Sequence, residues 1–204
     1  MKKLTKVAAL CAIILSSASA VANGSTDVTK HSQPSISWPV EYTPGTTDNF
    51  SSNEVIVKGL TVDDVWPYLI NTNEWPKYYK NASDIHFYKE TGPLLSAHSR
   101  FRFTTFGFLV ESQVVEFQAP TKQQKVARVA WHGWVEGDHE HRLDVHHAWL
   151  LQNLPGDRVR IVTQESQIGE PAKTLATTLP NPMINAHQDW LNGLVRAAKA
   201  AKKR

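Results

Sequence analysis

The chain of 204 residues carries 22 Lys and Arg against 19 Asp and Glu, a formal charge of +3, and a single cysteine, Cys11. Three of the basic residues (Lys2, Lys3, Lys6) and the cysteine fall within the first 22 positions, so the remainder is close to neutral and free of thiols. That balance argues against nucleic-acid binding, excludes a disulfide framework in the remainder, and leaves about 180 residues, enough for one self-supporting core.

The first 22 residues, MKKLTKVAALCAIILSSASAVA, have the layout of a secretory signal peptide. The lysines form a positive n-region and an apolar run follows from Val7 to Leu15. Small residues then offer two A-x-A sites, Ala18-Ser19-Ala20 and Ala20-Val21-Ala22. The apolar run is too short to span a bilayer. Leu10 stands before Cys11 where a lipoprotein signal needs a small residue, so lipidation is not expected. The expectation is cleavage and export to the periplasm or the exterior, with no membrane-spanning segment. Residues 23–52 are rich in Ser, Thr, Asn, Pro and Gly and hold little besides Trp38 and Phe50 that could pack. They predict a loosely ordered N-terminal extension with one short strand over 36–42.

NEVIVKG (53–59) reads as a strand ended by Gly59. Thr61 is placed to cap a helix whose first turn carries Asp63 and Asp64, where the dipole favours negative charge. Val62, Val65, Trp66 and Leu69 have helical spacing, and Pro67 should keep this helix short or bent. NEWPKYYKN (73–81) reads as a second helical turn or an aromatic loop. From Ile85 to Gly169 the texture is β. Gly92-Pro93, Gly107, Pro120, Gly137 and Pro155-Gly156 punctuate six segments, whose short connections make them antiparallel neighbours. The chain ends in a helix capped by Asn181 with Pro182 at its first position. Met183, Ile184, His187, Trp190, Leu191, Leu194, Val195 and Ala198 trace one face of it.

These elements predict an α+β fold: a curved antiparallel sheet of six to seven strands, two short helices after the first strand, and a long C-terminal helix covering the apolar face. The order resembles the helix-grip superfamily (SRPBCC), which includes START lipid-binding domains, the birch-pollen-allergen fold and polyketide cyclase/dehydrase-like proteins. The residues that carry the resemblance are TVDDVWPYLINTNEWPKYY, AWHGWVEG, HHAWLLQNLPGDRVRIVTQES and AHQDWLNGLVRAAK. It covers roughly residues 53 to 202, within a domain expected over 53–204. The resemblance implies a hydrophobic cavity between sheet and last helix. Members bind lipids, sterols, aromatic polyketides or plant hormones, and a minority catalyse cyclisation, dehydration or hydrolysis. No shared catalytic signature comes with it.

Strand residues alternate faces, so register decides which polar side chains meet. A three-residue loop at Asp138-His139-Glu140 pairs Trp131 with His147 and His132 with His146. A three-residue loop at Pro155-Gly156-Asp157 pairs Trp149 with Thr163 and His147 with Glu165. The inner face would then carry Trp131, His147 and Glu165 on adjacent strands, and His187 would join them from the last helix.

Three functions fit this pattern. The first is binding of a hydrophobic small molecule or lipid, with Phe101, Phe103, Trp131, Trp149 and Trp190 supplying contact area and His147, Thr163, Glu165 and His187 the polar contacts. The second is an enzyme in which His147 and Glu165 form an acid–base pair for an aldol, dehydration or hydrolysis step. No nucleophile stands out, since the remainder lacks cysteine and G-x-S-x-G is absent. The third is metal binding through His132, His139, His141 and His146. Their spacing matches no zinc pattern and they divide between a turn and the outer face, so no metal or other cofactor is expected. Protein partners are left open.

Overall fold

In the computed structural model of the chain, residues 33–89 and 92–203 are described, and the expected signal peptide lies outside the described residues. Seven strands follow the sequence alternation: β1 (Asn49–Lys58), β2 (Ser83–Phe87), β3 (Arg100–Thr105), β4 (Phe108–Gln118), β5 (Val126–Val135), β6 (Leu143–Leu154) and β7 (Arg158–Ile168). They form one antiparallel sheet in the order β1-β7-β6-β5-β4-β3-β2. Residues 136–142 join β5 to β6, a longer connection than the three-residue loop expected at 138–140, and the three residues 155–157 join β6 to β7. In the resulting register Trp131 lies opposite His147, His147 opposite Glu165, and Trp149 opposite Thr163.

Among the described residues four α-helices complete the fold: α1 (Val62–Ile70), α2 (Trp75–Tyr78), α3 (Glu170–Thr177) and α4 (Pro182–Lys202). Thr61 caps α1 through a reciprocal pair, its Oγ1 accepting from the Asp64 amide at 3.3 Å while Asp64 Oδ2 accepts from the Thr61 amide at 2.7 Å. The helix is nine residues long and Pro67 sits on its exposed side, where the missing amide is tolerated. Helix α3 was not expected from the Thr-rich sequence, although Pro171 in its first turn is a start signal. The apolar face of α4 lies on the sheet and buries Trp190, Leu191 and Leu194, each worth about 2 kcal/mol of stabilisation. Gly193 lets α4 approach α2, because a Cβ there would collide with the Tyr78 carbonyl.

The outer face of the sheet departs from expectation. Strand β1 begins at Asn49, and residues 34–48 run across the central strands without forming the strand expected over 36–42. The outer side chains Ala130, Ala148, Leu150 and Val162 are apolar and need a cover, which Ile36 and Trp38 supply. Arg128 donates to the Ser35 carbonyl at 2.6 Å and Arg160 to that of Pro34 at 3.0 Å, fixing the strap. A short 3-10 turn over Val40–Tyr42 places Tyr42 on the same face, its ring 5.7 Å from that of His146. His146 is therefore buried, 2% exposed, where the sequence reading left it on an open outer face.

Candidate functional site

The space between sheet and α4 is mostly filled by aromatic side chains. The Trp190 ring meets those of Trp75 at 5.1 Å and Trp149 at 5.4 Å, and stacks on Tyr79 at 4.5 Å. Trp75 is held in place by donating to the Leu69 carbonyl at 2.8 Å. What remains is a cavity of about 60 Å³ at one end of the fold. Its floor is Trp131, His147, Glu165 and His187, its walls include Phe103, Val110 and Trp190, and Phe106, Phe108 and Leu175 stand at its rim. An apolar cavity that binds benzene measures ~150 Å³, so this one admits only a compact group.

The sequence-predicted site residues divide accordingly. Phe103, Trp131, His147, Glu165, His187 and Trp190 line the cavity. Phe101, Trp149 and Thr163 do not: Phe101 packs against Trp75 and Phe87, Trp149 lies under Trp190, and Thr163 sits beside His147. They share the inward face of their strands, but larger neighbours stand between them and the opening.

The polar floor is one connected network. His147 Nδ1 lies 3.0 Å from Glu165 Oε2, and His187 Nε2 lies 3.6 Å from the same oxygen. The far nitrogen of each ring has a hydroxyl partner, His147 Nε2 with Thr163 Oγ1 at 2.8 Å and His187 Nδ1 with Ser51 Oγ at 3.0 Å. Gln167 donates to Glu165 Oε1, Asn49 donates to Gln167 Oε1 at 2.6 Å, and Asn181 donates to Asn49 Oδ1 at 3.0 Å. His147 and His187 are each 2% exposed and Glu165 is 6% exposed. Burial works against a charge on Glu165, yet the approach of His147 and His187 holds its carboxyl well below the ordinary carboxylate range. Burial pushes the His147 imidazole down, against the pull of Glu165. Among the described residues no Lys or Arg pairs with Glu165.

Sequence reasoning did not find Ser51, Asn49 or Asn181. Ser51 and Asn49 were read as part of a loose extension, because a Ser- and Asn-rich run has little strand propensity of its own. Gln167 follows Glu165 by two in the same strand, so the side-chain period of two places it on the same inward face.

The histidines that suggested a metal from sequence do not converge. His141 Nδ1 is held by Asp138 in the β5–β6 turn, and His132 Nε2 lies 3.2 Å from Asp144. Among the described residues neither nitrogen of His146 has a hydrogen-bond partner. The ligating atoms that do converge among the described residues, all within 4.8 Å of one another, belong to His147, Glu165 and His187.

No protein-family model matches the chain, and no curated protein matches it. Among solved structures, a hypothetical protein from Helicobacter pylori is 50% identical, spans 81% of this chain and 97% of its own, and superposes with a TM-score of 0.78. A protein from Thermus thermophilus matches at 16% identity over 74% of this chain and 98% of that one, with a TM-score of 0.52. The chain has the helix-grip fold. A norcoclaurine synthase variant from Thalictrum flavum, solved with a transition-state analogue, shares the fold at 12% identity over 76% of this helix-grip protein and 96% of its own chain, TM-score 0.50. Likenesses at 16% and 12% show a common fold and nothing of the chemistry.

Proposed function

We propose that this helix-grip protein is exported and binds a compact, mostly apolar small molecule whose one polar group meets the Glu165–His187 floor. The observation that carries the reading is a buried carboxylate between two imidazoles at the end of a mostly apolar cavity. A cavity of about 60 Å³ does not hold a lipid chain as it stands, so the apolar remainder of the ligand would lie at the rim, against Phe106, Phe108 and Leu175. Export rests on the charged, apolar and small-residue regions of the first 22 residues.

The test is native mass spectrometry of protein recovered from the secreted or periplasmic fraction, compared with a Val110→Phe variant whose larger side chain enters the cavity. The expected result is a chain shortened at its N-terminus and carrying a small organic adduct that the variant loses. Recovery of both proteins without adduct, and no thermal stabilisation of either by a panel of apolar amines, alcohols and acids, would refute ligand binding.

A second reading, acid–base catalysis at the same floor, is favoured because the His147–Glu165 pair borders open volume and is not packed over. Both nitrogens of His147 are engaged, however, so the atom with freedom to exchange a proton with a ligand is His187 Nε2, whose contact to Glu165 is long at 3.6 Å. Turnover of a bound carbonyl or hydroxyl compound that is lost in His187→Gln while binding persists would select this reading.

A further inference from the structure

We propose that His147 Nδ1, Glu165 Oε2 and His187 Nε2 form a three-ligand site for a zinc-like divalent cation at the cavity floor, with its open coordination position facing the cavity. This goes beyond organic-ligand binding and stands whether or not a molecule fills the rim.

Three observations point to it. The donor set is two imidazoles and one carboxylate, the composition of open zinc sites, which keep three protein ligands and leave a fourth position free. The spacing is near that of a metal site: Nδ1 to Oε2 is 3.0 Å, slightly short of the separation of two zinc ligands, Nε2 to Oε2 is 3.6 Å, and all three atoms lie within 4.8 Å of one another. Ligands about 2.0–2.2 Å from a tetrahedral zinc stand about 3.3–3.6 Å apart.

The second observation is the outer shell. In metal sites the far nitrogen of each ligating imidazole is held by an oxygen partner, which sets the tautomer and aims the ring. Thr163 does this for His147 and Ser51 for His187, while Gln167 holds the far oxygen of Glu165. A hydroxyl can donate or accept. Each ring can therefore move its proton from the Glu165 side to the hydroxyl side without rearrangement, turning a nitrogen lone pair toward a cation.

The third is charge. Glu165 is buried and, among the described residues, its counter-groups are imidazoles alone. A buried carboxylate with no cation is costly, and a divalent ion supplies the missing positive charge. The open side faces the cavity, since all three residues line it.

Chelator-treated, tag-free protein should bind one zinc ion per chain with micromolar or tighter affinity by calorimetry, and cobalt(II) should give the visible absorption of a tetrahedral site. Glu165→Gln and His187→Gln should each weaken zinc binding at least 100-fold with the far-UV circular dichroism unchanged. Ser51→Ala keeps all three ligands and serves should either of those variants fail to fold. It should weaken binding about 10–100-fold. The double variant His139→Gln/His141→Gln should bind as the parent does. Absence of zinc uptake, or uptake lost with the two turn histidines and kept in Glu165→Gln or Ser51→Ala, would overturn the site. Val110→Phe separates the two readings, since it should lose the organic ligand and keep the metal.

Discussion

Thr163 Oγ1 lies 2.8 Å from His147 Nε2, on the side of the ring opposite Glu165. The pair is cross-strand and fully enclosed, so no water can replace the hydroxyl. Thr163→Val keeps the shape and removes the oxygen, leaving a buried ring nitrogen without a partner. We expect a loss of about 1–3 kcal/mol in stability, read from denaturant unfolding. Thr163→Ser, which keeps the oxygen, should recover most of that loss. Equal losses in the two variants would show that the methyl group and not the hydrogen bond matters.

Acid should destabilise the protein below neutrality, and His146 is one named cause. It is buried between the strap and the sheet with neither nitrogen bonded among the described residues, and burial pushes its imidazole down to about 4. The unfolded state takes up a proton near pH 6.5 and the folded state does not until near pH 4, so stability is lost as the pH falls through that window. The contribution is about 2 kcal/mol between pH 7.5 and pH 5. His147 is displaced in the same direction and Glu165 adds a further loss at lower pH, since its carboxyl must be protonated. His146→Phe removes one titrating group and fills the same space beside Trp38 and Tyr42. The variant should match or exceed the parent at pH 7.5 and gain on it steadily toward pH 5, measured by thermal unfolding. Parallel pH profiles would exclude His146 as a contributor.

Gly193 faces the Tyr78 carbonyl where α4 crosses α2. In a solvent-exposed helix Gly→Ala would stabilise by up to ~1 kcal/mol. Here the added methyl must push α4 away from α2, and with it Trp190, which forms a wall of the cavity. We expect Gly193→Ala to destabilise by about 2–3 kcal/mol. We also expect it to change the tryptophan emission, because Trp75, Trp149 and Trp190 are packed together. A stabilised variant would show that the helices can separate at no cost.

The sheet register was legible because the hairpin connections and a strict side-chain period of two leave one arrangement that buries Trp131, Val145, Trp149 and Ile161 together. The placing of His147 opposite Glu165 follows from it, and His187 joins them because it shares a helical face with Trp190, Leu191 and Leu194. How much room the floor keeps was not legible. Periodicity assigns a side chain to a face but does not say how far Trp75 and Trp190 reach across the gap, and those rings close most of it. The strap was hidden by its own composition. The signal for it lay elsewhere, in Ala148, Leu150 and Val162, whose apolar character on the outward positions of two central strands called for a cover.

Trp38 is the residue through which that cover acts. Its ring packs 5.4 Å from His146 and 5.8 Å from Phe50, and it is half-buried. The two arginine contacts to Ser35 and Pro34 go to backbone carbonyls and survive its removal. Trp38→Ala should therefore loosen the strap without releasing it, at a cost of about 2 kcal/mol, below the 3–5 of a fully buried tryptophan. Proteolysis within 39–47 should accelerate, and the acid sensitivity of His146 should shrink as water reaches its ring. Zinc and ligand affinities should stay within about twofold, since the strap and the cavity lie on opposite faces of the sheet and sites without shared contacts behave additively. A parallel loss of binding would mean that the strap holds β6 and β7 in register, which hydrogen exchange at the Thr163 and Glu165 amides would report directly.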